Sequence, residues 1–185
     1  LAFYPMDGAD SDTLLRFADM ALYKAKDNGR GVYACYSPEL ERKVQEDMRL
    51  HTRLKDAMSQ GKLQLHYQPQ VDVRTGAIVG AEALLRWDDP VLGYVSPARF
   101  IPVAEATGLI LPLSEWVMET ACTQMAQWQL AGMPLRVAVN ASAQQFRQRE
   151  LPQEIRTLLD RTGAQACWLG VAITGSDTSS NALFG

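Results

Sequence analysis

From residue 62 onward, short apolar runs alternate with helical periodicity, and this alternation limits the possible folds more than any other feature of the chain. Leu63–Val71 and Ile78–Trp87 read as strands joined by the turn Arg74-Thr75-Gly76. Ser96-Pro97 opens a helical stretch that Gly108 closes, with Pro102 tolerable only near its beginning. Pro112 to Leu130 forms a second helix, with Leu113, Val117, Ala121, Met125 and Trp128 on one side. Leu135–Val139 is a strand, Gln153–Leu159 a helix and Trp168–Ile173 a strand. Strands alternating with helices predict an α/β fold with a largely parallel sheet. An eight-stranded α/β barrel needs ~250 residues, and residues 62–185 are about half of that. The expectation is therefore a partial barrel.

Two zones precede it. Residues 1–37 begin with an apolar stub and the turn Asp7-Gly8-Ala9-Asp10, followed by a helix with Leu14, Ala18, Ala21, Leu22 and Ala25 on one face. Asn28-Gly29 is a stop signal for that helix, and Val32–Tyr36 reads as a short strand. Residues 38–60 are rich in charge and free of glycine. Leu40, Val44, Met48, His51, Leu54 and Met58 recur at helical steps there, with Pro38 in the first turn and Gly61 as the stop. His51 reads as a partly buried member of that stripe. A helix this long between two compact zones suits a connector that can pair with a second copy.

Composition narrows the function classes. The net charge is −3, and acidic and basic residues are mixed along the chain, so no basic block points to a nucleic-acid polymer or an anionic membrane. No apolar run approaches the ~18–20 residues that span a bilayer. Leu1-Ala2-Phe3-Tyr4-Pro5-Met6 lacks both an initiator Met and a charged region before an apolar stretch, which reads as a cut end and not a signal peptide. Cys35, Cys122 and Cys167 are odd in number and far apart, so neither a disulfide framework nor a Cys-x-x-Cys metal site is indicated. The expected compartment is the cytoplasm. Residues 175–185 are small and polar and read as an atypical tail.

Three groups of residues could carry chemistry. In the strand Ile78–Trp87, Glu82, Leu84 and Arg86 point one way, and Ala81, Ala83, Leu85 and Trp87 the other. Two opposite charges on one face of an apolar strand are costly unless paired or bound. They could form an ion pair, or they could line a pocket for a metal and a phosphate. Asn140 stands where an apolar strand ends, the position that carries active sites in α/β barrels. Its amide oxygen could be a neutral ligand for Mg²⁺ or Mn²⁺, or the residue could cap a turn. Lys26 and Arg30 flank Asn28-Gly29 and could hold phosphate or cap the helix C-terminus.

Longer blocks add a resemblance. Tyr67-Gln68-Pro69, Glu82-Ala83-Leu84-Leu85-Arg86-Trp87 and Phe100-Ile101-Pro102-x-Ala104-Glu105-x-x-Gly108 closely resemble the start of the bacterial EAL domain. Val139-Asn140-Ala141-Ser142-Ala143-x-Gln145-Phe146 is similar to that family's next block, and order and spacing agree over residues 62–174. Residues 1–37, with Tyr4-Pro5-x-Asp7-Gly8, Ala18-Asp19-x-Ala21-Leu22-Tyr23-x-Ala25-Lys26 and Gly29-Arg30, resemble the last third of a GGDEF domain. The whole chain thus resembles the middle of a tandem GGDEF–EAL signalling protein. It would comprise a GGDEF remnant (1–37), a linker helix (38–61), the N-terminal half of an EAL-type TIM barrel (62–174) and the tail.

The resemblance implies a phosphodiesterase that opens cyclic di-GMP to linear pGpG with two Mg²⁺ or Mn²⁺ ions. Glu82 and Asn140 would be metal ligands, Arg86 would hold a phosphate, and Gln68, Leu84 and Pro97 would shape the nucleotide pocket. In the GGDEF remnant, Lys26 and Arg30 match positions that contact GTP phosphates. Two acidic positions of the family's Glu-x-Thr-Glu block fall on Ala172 and Gly175. The expectation is thus an incomplete catalytic set and an inactive chain. The alternative is a degenerate module that binds cyclic di-GMP, or relays a signal through a dimer, without catalysis. The resemblance leaves room for a membrane anchor upstream in the parent protein.

Overall fold

The computed structural model describes residues 1–27, 31–142 and 151–174. The chain divides into two compact units, Leu1–Arg53 and Leu54–Gly185.

In the first unit, helix α1 spans Ser11–Asp27. Asp10 starts it by accepting hydrogen bonds from the Thr13 amide and hydroxyl, each at 2.8 Å. Those bonds favour the ionised carboxylate and hold its pKa below the usual value. Phe17, Ala21 and Ala25 are buried on α1, whereas Leu22, expected on the packed face, is half exposed. Val32–Tyr36 does not form the expected strand, and no ladder pairs with it. Two hydrogen bonds to Leu1 hold this segment, from the Tyr36 amide to the Leu1 carbonyl at 2.8 Å and from the Leu1 amino group to the Ala34 carbonyl at 2.6 Å, together with side-chain contacts: the Tyr36 ring stacks on Phe17 at 3.7 Å, and its hydroxyl donates to Glu41 at 2.9 Å.

Helix α2 is continuous over Pro38–Ser59, as its period predicts. Its buried apolar residues are Leu40, Leu50, Leu54 and Ala57, and Met48 is 62% exposed. The stripe therefore runs through Leu50 and not Met48, which lies roughly 120° around the helix from the buried centre. His51 is half-buried, and its Nδ1 has no hydrogen-bond partner.

The second unit is a five-stranded sheet backed by helices. Its strands are β1 (Leu63–Val71), β2 (Ile78–Asp89), β3 (Gly93–Val95), β4 (Arg136–Ser142) and β5 (Leu169–Thr174). Their order is β1-β2-β4-β5, with β3 paired to β2. The sheet is mixed, which corrects the expectation of a largely parallel one. β1 and β3 run antiparallel to β2, while β4 and β5 continue in parallel. Short turns leave no other choice, because a parallel return needs a crossover of a dozen or more residues. The β1–β2 turn is tied by Asp72 Oδ1, which accepts from the Arg74 and Thr75 amides at 2.8 and 3.1 Å. Gly76 closes the turn at φ +70°, where a side chain would be strained.

Helices α3 (Pro97–Thr107), α4 (Ile110–Leu130) and α5 (Leu151–Thr162) follow the periodicity to within a few residues. A turn of 3₁₀ helix, Ala166–Trp168, leads into β5. α3 starts with Pro97 and ends on Gly108 at φ +78°, and Pro102 is inside it. The core lies between the sheet and these helices. Trp87, Phe100, Leu113, Met125, Val137 and Val139 are essentially inaccessible there. Trp87 meets Phe100 edge to face at 5.4 Å, and Tyr67 meets Trp128 at 4.9 Å. Burial, with the Cys122 thiol nearby, pushes the Tyr67 hydroxyl up to about 12.

One strand pair is unusually close. A Cβ at Gly80 would sit 2.7 Å from the Arg136 carbonyl oxygen, its register partner on β4. Gly80→Ala must therefore push β4 away from β2. The expected cost is about 1–3 kcal/mol, or a fall in melting temperature of several degrees. An unchanged thermal midpoint would show that the ladder accommodates the methyl group.

Candidate functional site

The sheet has two chemically distinct faces, and strand alternation assigns each side chain. Ala81, Ala83, Leu85 and Trp87 of β2 lie on one face and are buried. Glu82, Leu84 and Arg86 lie on the other. The register adds neighbours to this second face. Gln68 is opposite Glu82, His66 opposite Leu84 and Gln64 opposite Arg86 on β1. Ala138 is opposite Glu82 on β4, and Asn140 two residues further on is opposite Ala172 of β5.

The two residues proposed as metal ligands meet directly. Asn140 Nδ2 donates to Glu82 Oε1 at 2.8 Å, although 58 positions separate them in sequence. Both are half-buried. The parallel β2–β4 ladder ends at Ala83, one residue past Glu82, so the pair stands near the carboxyl end of the parallel part of the sheet. Glu82 itself lies in the middle of β2, because that strand runs on to pair with β1 and β3. A hydrogen bond to an ionised carboxylate in partial burial contributes about 1.5–3 kcal/mol.

The other predicted residues are placed as follows. Leu84 is buried and Gln68 is exposed, and Arg86 is half-buried, with its Nη1 donating to the Leu85 carbonyl at 2.9 Å. These three share the face of Glu82. Pro97 is on no strand face: it opens α3 and is fully buried. Lys26 is exposed in the last turn of α1. Arg30 and Gly175 lie outside the described residues.

The donor set here does not fit two divalent cations. Hard cations need several oxygen ligands and gain most from carboxylates. Glu82 supplies one carboxylate and Asn140 one neutral amide, and among the described residues no three His, Cys, Asp or Glu side chains converge. Ala172, opposite Asn140, brings a methyl group to the position where the resemblance expects a glutamate.

Sequence reasoning gave no role to one carboxylate beside this site. Glu105, in the last turns of α3, lines a cavity of about 30 Å³ together with Ser114, Asn140 and Ser142 and the apolar residues Leu85, Leu113 and Val117. Its place in the Phe100–Gly108 block was the only signal. Burial raises its pKa above the usual 4.5, because the charged form loses hydration. A raised carboxyl pKa favours the folded state fully at acid pH and less as pH rises through the folded value. Glu105→Gln should therefore raise the melting temperature at neutral pH and leave it unchanged below the ordinary carboxylate pKa. An equal effect at both pH values would contradict this.

The fold and the site together define a mixed α/β domain that joins a carboxylate to an amide across neighbouring parallel strands. Residues 51–183 match the EAL domain, and the chain belongs to that family. It is 39% identical over 183 residues to the bifunctional diguanylate cyclase/cyclic di-GMP phosphodiesterase MucR of Pseudomonas aeruginosa, covering 98% of this chain and 27% of MucR. It is 38% identical over 176 residues to the cyclic di-GMP phosphodiesterase PdeR of Escherichia coli, covering 95% of this chain and 26% of PdeR. The chain thus spans about a quarter of the length of these relatives. The solved structure of the PaMucR phosphodiesterase with c-di-GMP matches at a TM-score of 0.64 and 40% identity, over 66% of this chain and 50% of that one. No described helix is long and apolar enough to cross a membrane.

Proposed function

We propose that this chain is the N-terminal part of a cyclic di-GMP phosphodiesterase domain, and that residues 1–185 alone bind the dinucleotide weakly without hydrolysing it. The observation that carries the reading is the Glu82–Asn140 hydrogen bond, which unites the carboxylate of one family block with the amide of the next. In the parent protein, two Mg²⁺ or Mn²⁺ ions and pGpG as product follow from the family, with Glu82 and Asn140 among the ligands. Arg86 holds a phosphate, and Gln68, Leu84 and Pro97 shape the nucleotide pocket. Residues 62–174, which hold β1 to β5, are the N-terminal half of an EAL-type TIM barrel. Residues 1–37 are a GGDEF remnant with Lys26 and Arg30 as former phosphate contacts, residues 38–61 are a linker helix able to pair two copies, and 175–185 are a tail. Free thiols at Cys35, Cys122 and Cys167, two of them exposed, suit a reducing cytoplasm.

A second reading, a module that binds without catalysis even in its parent, is favoured by one observation. Ala172 stands opposite Asn140, and a methyl group cannot ligate a cation. Losing even one partner behind a ligand lowers metal affinity or activity about 10–100-fold, and the loss of a ligand itself costs more.

Chromatography of cyclic di-GMP incubated with the purified chain and Mn²⁺ tests the main reading. No pGpG is expected, and Ala172→Glu alone should not create activity, since one more carboxylate still leaves the donor set short. Turnover that Glu82→Ala abolishes would overturn this conclusion. An Arg86–phosphate contact contributes about 1.5–3 kcal/mol, so a binding midpoint in the millimolar range or weaker is expected. Absence of any ligand-induced NMR shift at Glu82, Leu84 and Arg86 would sink the binding reading.

A further inference from the structure

We propose that His66 is a ligand-contacting residue of the same face, its imidazole N–H donating to the cyclic-dinucleotide phosphate that Arg86 grips. The proposal rests on the reading that cyclic di-GMP binds there.

The antiparallel register fixes the geometry. His66 is opposite Leu84, so it stands diagonal to Glu82 on one side and to Arg86 on the other. Diagonal cross-strand neighbours lie about 7–8 Å apart, within reach of long and aromatic side chains. Charge-assisted hydrogen bonds of ~2.8 Å on either side of one phosphate fill such a span. Gln64, Gln68, Glu82 and Arg86 are the other polar residues at these levels of β1 and β2.

The surroundings of His66 point the same way. Leu84, its direct partner across the ladder, is 4% exposed, whereas His66 itself is exposed. No hydrogen bond joins its imidazole to any described residue. A neutral imidazole carries one N–H, so the contact needs no change of protonation. On a purely structural reading, an exposed histidine on this strand contributes within about 0.5 kcal/mol to stability and nothing to binding.

NMR titration of the isotope-labelled 185-residue chain with cyclic di-GMP tests this. The His66 ring resonances should shift with the same midpoint as the Arg86 side chain. His66→Ala should raise the apparent Kd about ten-fold or more, the worth of one hydrogen bond to a charged acceptor. His66→Phe, which keeps a ring without a donor, should weaken binding as much, and His66→Gln, which keeps a donor, should bind nearly as the parent does. Shifts at Gln68 and Arg86 with a silent His66 ring would overturn the proposal and leave the binding reading standing, as would unchanged affinity in both His66→Ala and His66→Phe. If no resonance on this face moves, the binding reading falls and this proposal falls with it.

Discussion

Strand β2 is the element on which the second unit depends, because among the described strands it alone pairs with three others. β1 and β3 run antiparallel to it and β4 runs parallel, so its position fixes the register of each. It must also satisfy two environments. Ala81, Ala83, Leu85 and Trp87 face the helices and are buried, while Glu82 and Arg86 on the opposite face keep partial access to water. Gly80, the third residue of β2, allows the close approach to β4, beside which Asn140 reaches Glu82 at hydrogen-bond distance. The hydrogen bond is thus coupled to backbone packing two residues away.

That bond also shows the difference between a site's geometry and its chemistry. A half-buried carboxylate loses hydration and needs a compensating donor. The Asn140 amide supplies one without adding charge. The arrangement is stable in its own terms, yet it gathers only a single negative charge where divalent chemistry requires several. Ala172 next to Asn140 is fully compatible with the ladder, so nothing in folding opposes the loss of an acidic residue there.

The sequence disclosed those parts of the fold that are long enough to show a period. α2, α4, β1 and β2 each contain enough residues for apolar spacing to be read, and the structure places them within about two residues of expectation. β3 was not legible, since its three residues pair only because β2 continues past Trp87 to Asp89. Val32–Tyr36 has the composition of a strand, but its backbone pairs only with Leu1, too briefly for a ladder, and the Phe17–Tyr36 ring stack adds the packing. Leu22 and Met48 fit an apolar stripe by spacing and are nonetheless exposed, because helical position alone does not say where the packed face is centred. At the site, alternation placed Glu82 and Arg86 together. Only the register of β4 against β2 could reveal that Asn140 bonds to Glu82, and only the register of β1 sets His66 diagonal to both Glu82 and Arg86.

The pairings of β2 also differ in how far along the chain they reach. β1 folds back through the tight turn tied by Asp72, whereas the partner of Ala83 on β4 is Val139, with α3 and α4 between. Loop closure costs about 0.6 kcal/mol more for each doubling of loop length, so the second ladder carries roughly 2 kcal/mol more closure entropy than the first. The hairpin, with Gln68 and Glu82 already opposed, is therefore the part that can assemble early, and the arrival of β4 is the slow, non-local event. The Glu82–Asn140 bond belongs to that late step. A chain halted at the hairpin would display the Glu-Ala-Leu segment with no amide to meet it.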